Sequence, residues 1–337
     1  MISCFNQKIK GLEGVIVMPN YLFIRILEAC NAGCFMCDFC HSTDEYRLSE
    51  EDYTRILSQA KKEGLKYVRL TGGEPLKHDR VLNFISIAKE MGIMSSIISN
   101  GYYLPDIAEQ LAKSGLSQII VSLDGSSPKT HNRYRNTPEI FERGVEGLKK
   151  CAELGIHTRV NTVAGIHNYA ELIELQEIFT ELEVEKWELS ALKLDRPINY
   201  PEAARQRIIS DVDTIYRLNP ARGFLKPMGK AWCGETQEET ECYFEKGIPP
   251  TPDNVCKLVH QMRYYDAKNG YLFPCSLLPH RLDRHVTNVK MGADDFSTLH
   301  DMMLKSVRHF SENGPNICTG CSATAAGFKT TGDEWEF

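Results

Sequence analysis

The chain has 337 residues, enough for one large domain or two smaller ones, and its 42% apolar and 25% charged side chains suit a globular core that needs no disulfides. A formal charge of −6 leaves no broad basic field, which argues against nucleic acid or an anionic membrane as partner. Met1 to Lys10 lack the long apolar core of a leader and no uninterrupted apolar run approaches a membrane span, so the 12 cysteines point to the cytoplasm, where thiols serve metals or catalysis.

After an N-terminal extension, residues 1–19, the first strand pattern is Leu22–Leu27. It runs directly into Ala29-Cys-Asn-Ala-Gly-Cys-Phe-Met-Cys-Asp38, a CxxxCxxC spacing of Cys30, Cys34 and Cys37. Three thiolates so placed can hold three corners of a cubane iron–sulfur cluster and leave the fourth iron open to a small molecule. The residues allow another reading: Cys34, Cys37 and Cys40, with His41 behind them, could complete a tetrahedral zinc site.

Helical and strand patterns then alternate. Ser49–Lys62 opens with an N-cap serine and three acids, Glu50, Glu51 and Asp52, in its first turn. Strands are expected at Tyr67–Thr71, Ile93–Ser99, Gln118–Leu123, Ile156–Val163 and Lys186–Ala191. Helices are expected at Val81–Met91, Ala108–Lys113, Ile140–Leu154 and Tyr169–Leu182. Gly64, Gly92, Gly115 and Gly155 stop helices where the next strand must begin. Six βα units of this kind predict an α/β fold, a parallel sheet with helices outside it. The second strand ends in Thr71-Gly-Gly-Glu-Pro75, the third in Ser99-Asn-Gly101 and the fourth in Ser122-Leu-Asp-Gly125, while Asn161 lies on the fifth. Each is a turn-forming pattern in its own right.

The cysteine run followed one βα unit later by Gly72-Gly73-Glu74-Pro75 resembles the paired signature of the radical S-adenosylmethionine (SAM) superfamily. The resemblance implies a partial (β/α)6 barrel over residues 20–191, with active residues at the carboxyl ends of the strands. It implies a [4Fe–4S] cluster on Cys30, Cys34 and Cys37, chelated at its open iron by SAM, with Cys40 a bystander. Gly72, Gly73, Glu74 and Pro75 would receive the methionine amino group, since glycine leaves backbone carbonyls open to an ammonium. Asn100, Ser122, Asp124 and Asn161 would line the ribose and carboxylate. Ser122–Gly125, followed by His131-Asn-Arg-Tyr-Arg135, resembles the subgroup that matures peptides and oxidises small molecules; Arg133 or Arg135 would contact a substrate anion or pack at the barrel rim.

Residues 192–255, rich in proline and short charged runs, read as a bridging segment. They carry Cys233, either a hydrogen donor in epimerisation or an inert buried thiol, and Cys242. In residues 256–337, Cys256, Cys275, Cys318 and Cys321 could hold zinc or a fully ligated cluster on spacing alone. After a radical SAM core they resemble the twitch subdomain, a small α+β unit with one auxiliary [4Fe–4S] cluster. No cysteine follows Cys321, which argues against a further cluster. The molybdenum-cofactor cyclases of the superfamily space these cysteines differently and end in a Gly-Gly tail that Lys329–Phe337 lacks.

Local likeness to aminocyclitol dehydrogenases and cytosylglucuronate decarboxylases implies a carbohydrate, cyclitol or nucleoside substrate, with oxidation, epimerisation or decarboxylation as outcome. An external electron donor such as flavodoxin or ferredoxin is implied as well. Only about twenty residues precede the first strand, which leaves out the peptide-recognition domain common in peptide-modifying relatives. A peptide epimerase or maturase and a non-catalytic zinc or iron–sulfur protein remain as alternative readings.

Overall fold

The computed structural model describes residues 20–37, 39–192, 198–219, 226–227, 262–273 and 289–290. The expected parallel sheet is present. Strands β1 (Tyr21–Leu27), β2 (Tyr67–Gly72), β3 (Met94–Ser99), β4 (Gln118–Ser122), β5 (His157–Ala164) and β6 (Lys186–Ala191) pair in chain order, every neighbour parallel. All seven residues of β1 are buried, as a central parallel strand covered on both faces requires. The helices between strands are α1 (Glu50–Lys62), α2 (Val81–Glu90), α3 (Leu104–Ser114), α4 (Pro128–Arg135), α5 (Ile140–Glu153) and α6 (Leu172–Glu181). Helix α1 shows the logic: Ser49 Oγ accepts the Asp52 N–H at 3.1 Å, and Tyr53, Ile56, Leu57 and Ala60 form the buried stripe.

Three features depart from the sequence reading. Helix α3 starts at Leu104 rather than at Ala108, because Pro105 sits in its first turn, where a missing N–H leaves no bond unmade. Helix α4 is short and polar and has no apolar period to betray it. Helix α7 (Glu202–Leu218) crosses the segment read as irregular and buries Ala204, Ile208 and Ile215, an apolar spacing masked by its many charges.

The sheet also grows at both ends. Strand β7 (Lys226–Pro227) adds in parallel to β6, and β8 (Met262–Asp266) adds in parallel to β1. Strand β9 (Tyr271–Phe273) folds back on β8 through a turn that needs Gly270 at φ +68, and β10 (Val289–Lys290) pairs antiparallel with β9. The order is β10-β9-β8-β1-β2-β3-β4-β5-β6-β7, so the described C-terminal strands extend the same sheet. Among the described residues, no helix is long and apolar enough to cross a membrane.

Register decides what the sheet presents. The pairs Phe23–Arg69, Arg69–Ser96, Ser96–Gln118, Ile120–Arg159, Ser122–Asn161 and Asn161–Glu188 put these side chains on one face. Leu22, Ile24, Val68, Leu70, Ile97, Ile119 and Val160 point the other way into the apolar core.

Candidate active site

The cysteine loop leaves the carboxyl end of β1, where the next strand meets it closely. Gly73 N–H donates to the Leu27 carbonyl at 3.1 Å and Glu74 N–H to the Ala29 carbonyl at 2.9 Å. A Cβ on Gly73 would lie 2.3 Å from the carbonyl oxygens of both Glu28 and Ala29, and one on Gly72, at φ +144, would lie 2.3 Å from that of Leu27. The Gly-Gly pair is therefore what lets β2 lie against the root of the loop.

Cys30, Cys34, Cys37 and Cys40 are all free thiols. Ala32 N–H and Asn100 Nδ2 donate to Cys30 Sγ at 3.4 and 3.8 Å, and Arg135 Nη1 donates to Cys34 Sγ at 3.7 Å. Burial pushes the Cys30 thiol up to about 11, with the Glu74 charge adding to it, and burial raises Cys34 against the pull of Arg135. These sulfurs shed their protons when a cation compensates, while the N–H groups aimed at them suit thiolate acceptors. Cys40 Sγ instead donates to the carbonyls of Cys34 (3.2 Å) and Cys37 (3.0 Å), bracing the loop from outside the ligand set. This donor set fits an iron–sulfur cluster on Cys30, Cys34 and Cys37.

The other residues singled out in the sequence surround this loop. Gly72, Gly73 and Ser122 are half-buried at strand ends, and Asn161 is half-buried within β5. Glu74 is fully buried and turns inward: its carboxylate accepts from Leu76 N–H (3.0 Å), Ser99 Oγ (2.8 Å) and Asn100 N–H (2.7 Å), tying β2 to β3, with Pro75 buried behind it. Asn100 donates to Asn31 Oδ1 at 2.9 Å as well as to Cys30. Asp124 is fully buried too; it forms an ion pair with Arg135 at 2.5 Å and accepts from Val163 N–H at 2.8 Å. Asn161 accepts from Arg159 Nε at 3.0 Å, and Arg159 in turn pairs with Glu188. Cys151 is buried in the core. Cys233, Cys242, Cys256, Cys275, Cys318 and Cys321 lie outside the described residues.

Two features were not read from the sequence. Phe35, 52% exposed beside Cys34, stands edge-on to Tyr134 at 4.6 Å, and Tyr134 stacks on His167 at 3.5 Å. On the opposite flank, Lys268 in the β8–β9 turn lies 2.5 Å from Asp44 and 3.9 Å from Glu28, while Arg25 pairs with Glu28 and lies 3.5 Å from Asp266. The C-terminal hairpin thus grips the chain on both sides of the cysteines.

Burial raises the Glu74 carboxyl from 4.5 to about 6, against the hydrogen bonds it accepts. The folded state then holds this proton to higher pH than the unfolded chain, so the associated stability is present below about pH 4.5 and is lost as pH rises to about 6. Against Glu74→Gln, which cannot titrate, wild type is expected to lose roughly 2 kcal/mol across that window. Denaturant titrations of both proteins at pH 4.5, 5.2 and 6.5 check this; parallel curves would refute it.

The profile of the Radical SAM superfamily matches residues 24–178. A probable GTP 3′,8-cyclase of Saccharolobus solfataricus is 32% identical over 198 residues, 57% of this chain and 60% of that protein. A GTP 3′,8-cyclase of Nautilia profundicola is 26% identical over 268 residues, 76% of this chain and 80% of its own. The chain thus spans about 60% of the length of the first of these relatives. Among solved structures, Streptococcus suis SuiB bound to S-adenosylmethionine superposes with a TM-score of 0.67 at 20% identity, over 91% of this chain and 72% of its own. The structure of anSMEcpe with bound AdoMet and a peptide gives a TM-score of 0.60 at 16% identity, over 90% and 83%. With the matched segment running from β1 into α6 and the cysteine loop and Gly-Gly turn inside it, residues 24–178 carry the domain of the radical SAM superfamily.

Proposed function

We propose that the chain is an enzyme that cleaves SAM reductively and takes hydrogen from a small molecule built on a sugar, of the nucleoside class. The observation that carries this reading is the convergence of Cys30 and Cys34, each with an N–H donor on its sulfur, with the Gly72-Gly73 turn at the carboxyl ends of parallel strands. A [4Fe–4S] cluster with SAM supplies a hydrogen-abstracting radical in this superfamily. The chain's own residues do the placing. Gly72 and Gly73 offer backbone to the SAM ammonium, and Ser122 and Asn161 offer polar groups to its ribose and carboxylate. The polar inner face, with Gln118, Arg159, Asn161 and Glu188, suits a substrate rich in hydroxyl groups. The curated relatives are named for GTP, a ribose-bearing molecule, and this supports a nucleoside or nucleotide over a cyclitol. A second cluster on Cys256, Cys275, Cys318 and Cys321, an external one-electron donor, and a role for Cys233 belong to the same proposal.

The test is anaerobic reconstitution of the full chain with iron and sulfide. Iron per chain and dithionite-driven release of 5′-deoxyadenosine are then measured with GTP, other nucleosides or free sugars carrying deuterium on the sugar ring. About eight irons per chain and deuterium in the 5′-deoxyadenosine from one ribose-bearing compound are expected. About four irons would remove the second cluster from the proposal. Zinc without 5′-deoxyadenosine would end the enzymatic reading, and release without deuterium from any sugar or nucleoside would end the substrate assignment.

A further inference from the structure

Arg135 ends α4 with its side chain almost wholly buried, 101 residues beyond the cysteine it touches. One guanidinium nitrogen lies 2.5 Å from Asp124 Oδ2 and another lies 3.7 Å from Cys34 Sγ. The backbone is fixed as well: the Arg135 carbonyl accepts Gly33 N–H at 3.1 Å and Thr137 Oγ1–H at 3.0 Å, and Asn136 turns left-handed at φ 48 to bring the chain round. Asp124 is itself immobilised. Its other oxygen accepts Val163 N–H, its N–H donates to His131 Nδ1 at 3.0 Å, and its carbonyl accepts Asn168 Nδ2 at 2.6 Å. Among the described residues, Cys30 by contrast receives neutral donors, Ala32 N–H and Asn100 Nδ2.

We propose that Arg135 is a positioning residue that raises the reduction potential of the cluster on Cys30, Cys34 and Cys37 by holding a fixed positive charge at Cys34 Sγ, and that Asp124 trims that effect. The inference rests on the ligand assignment made above. Reduction adds one electron to the cluster from an external one-electron donor and breaks no bond in the protein. The added negative charge is favoured by a cation at one thiolate, because a charged donor draws electron density from sulfur more strongly than a neutral one. The carboxylate behind the guanidinium acts in the opposite sense while fixing its orientation. Both charges are out of water, so solvent screens neither fully.

The experiment is a redox titration of the reconstituted full chain followed by electron paramagnetic resonance, scoring the signal that changes when SAM is added. Arg135→Gln should shift the reduction equilibrium at least tenfold against the reduced cluster, about 59 mV downward for one electron. Asp124→Asn should move it upward, and Arg135→Lys should stay near wild type. A structural role alone would move both charge-removing variants the same way or lower only the iron content. Unchanged potentials in iron-replete Arg135→Gln and Asp124→Asn, or shifts of the same sign, would overturn the proposal. Where Arg135→Gln fails to retain iron, the pair Arg135→Lys and Asp124→Asn decides: no upward shift in Asp124→Asn overturns it. A wild-type chain that assembles no SAM-sensitive cluster would defeat the ligand assignment instead, so the two failures are distinct.

Discussion

Cys34→Ala is expected to abolish both iron retention at the first site and 5′-deoxyadenosine release, whereas Cys151→Ala leaves them intact. Cys34 is buried and supplies the sulfur toward which Arg135 is aimed. Without that sulfur only Cys30 and Cys37 of the three assigned ligands remain, and a cubane cluster needs three thiolates when its fourth iron serves SAM. The Arg135–Asp124 pair would also face an apolar methyl in a space shaped for an anion. Cys151 shares the burial but touches only core; its removal leaves a small cavity and a modest loss of stability, about 1 kcal/mol. Iron and labile sulfide after reconstitution, with SAM cleavage on the same samples, separate the two. Retained cleavage in Cys34→Ala would contradict the assignment.

The second large effect is at Gly73. A single methyl there meets two carbonyl oxygens at 2.3 Å, both belonging to the backbone that leads into Cys30. Backbone cannot swing aside as a flexible side chain can, so β2 must withdraw from β1 or the cysteine loop must shift. Overpacking of this kind costs about 1–3 kcal/mol, and the displacement falls on the loop that holds the cysteines. Gly73→Ala is expected to lower the melting temperature by several degrees and to lose most of its iron. Gly64→Ala is the control: at φ +99 with nothing within 4 Å of its Cβ, it carries backbone strain but no collision, and cluster loading stays normal. Thermal unfolding and iron content of both variants make the comparison; equal iron in Gly73→Ala and wild type would show that the turn does not set the loop.

The parts of the site that depend on backbone necessity were legible from sequence. The Gly-Gly pair answers a close backbone approach and the run from Tyr21 to Leu27 a central strand, and the fold uses both so. Side-chain destinations were less legible. Glu74 and Asp124 look like ligand-facing acids at strand ends, yet both carboxylates are occupied within the protein, one by Ser99 and Asn100, the other by Arg135 and Val163. Such partners are distant in sequence, and no periodicity encodes them. Arg135 was visible as a charge four residues after His131, but its approach to Cys34 follows only from α4 folding over the loop. Helix α7 was hidden by charge and β8 by its brevity, since a five-residue strand far from its partner has no local signature.

Strand β1 is hydrogen-bonded on both sides, to β2 and to β8. Its amides are therefore among the last to open, whereas in the loop after it the Asp44 and Tyr46 amides donate to side chains, and Cys40 and Lys268 tie the chain through their own. Hydrogen exchange should divide here, with Leu22 to Ile26 exchanging only by global unfolding and Phe39 to Tyr46 by small local openings. A cluster built on these cysteines would then assemble on a folded sheet, the loop opening to admit metal and sulfide while the strand beneath it stays closed.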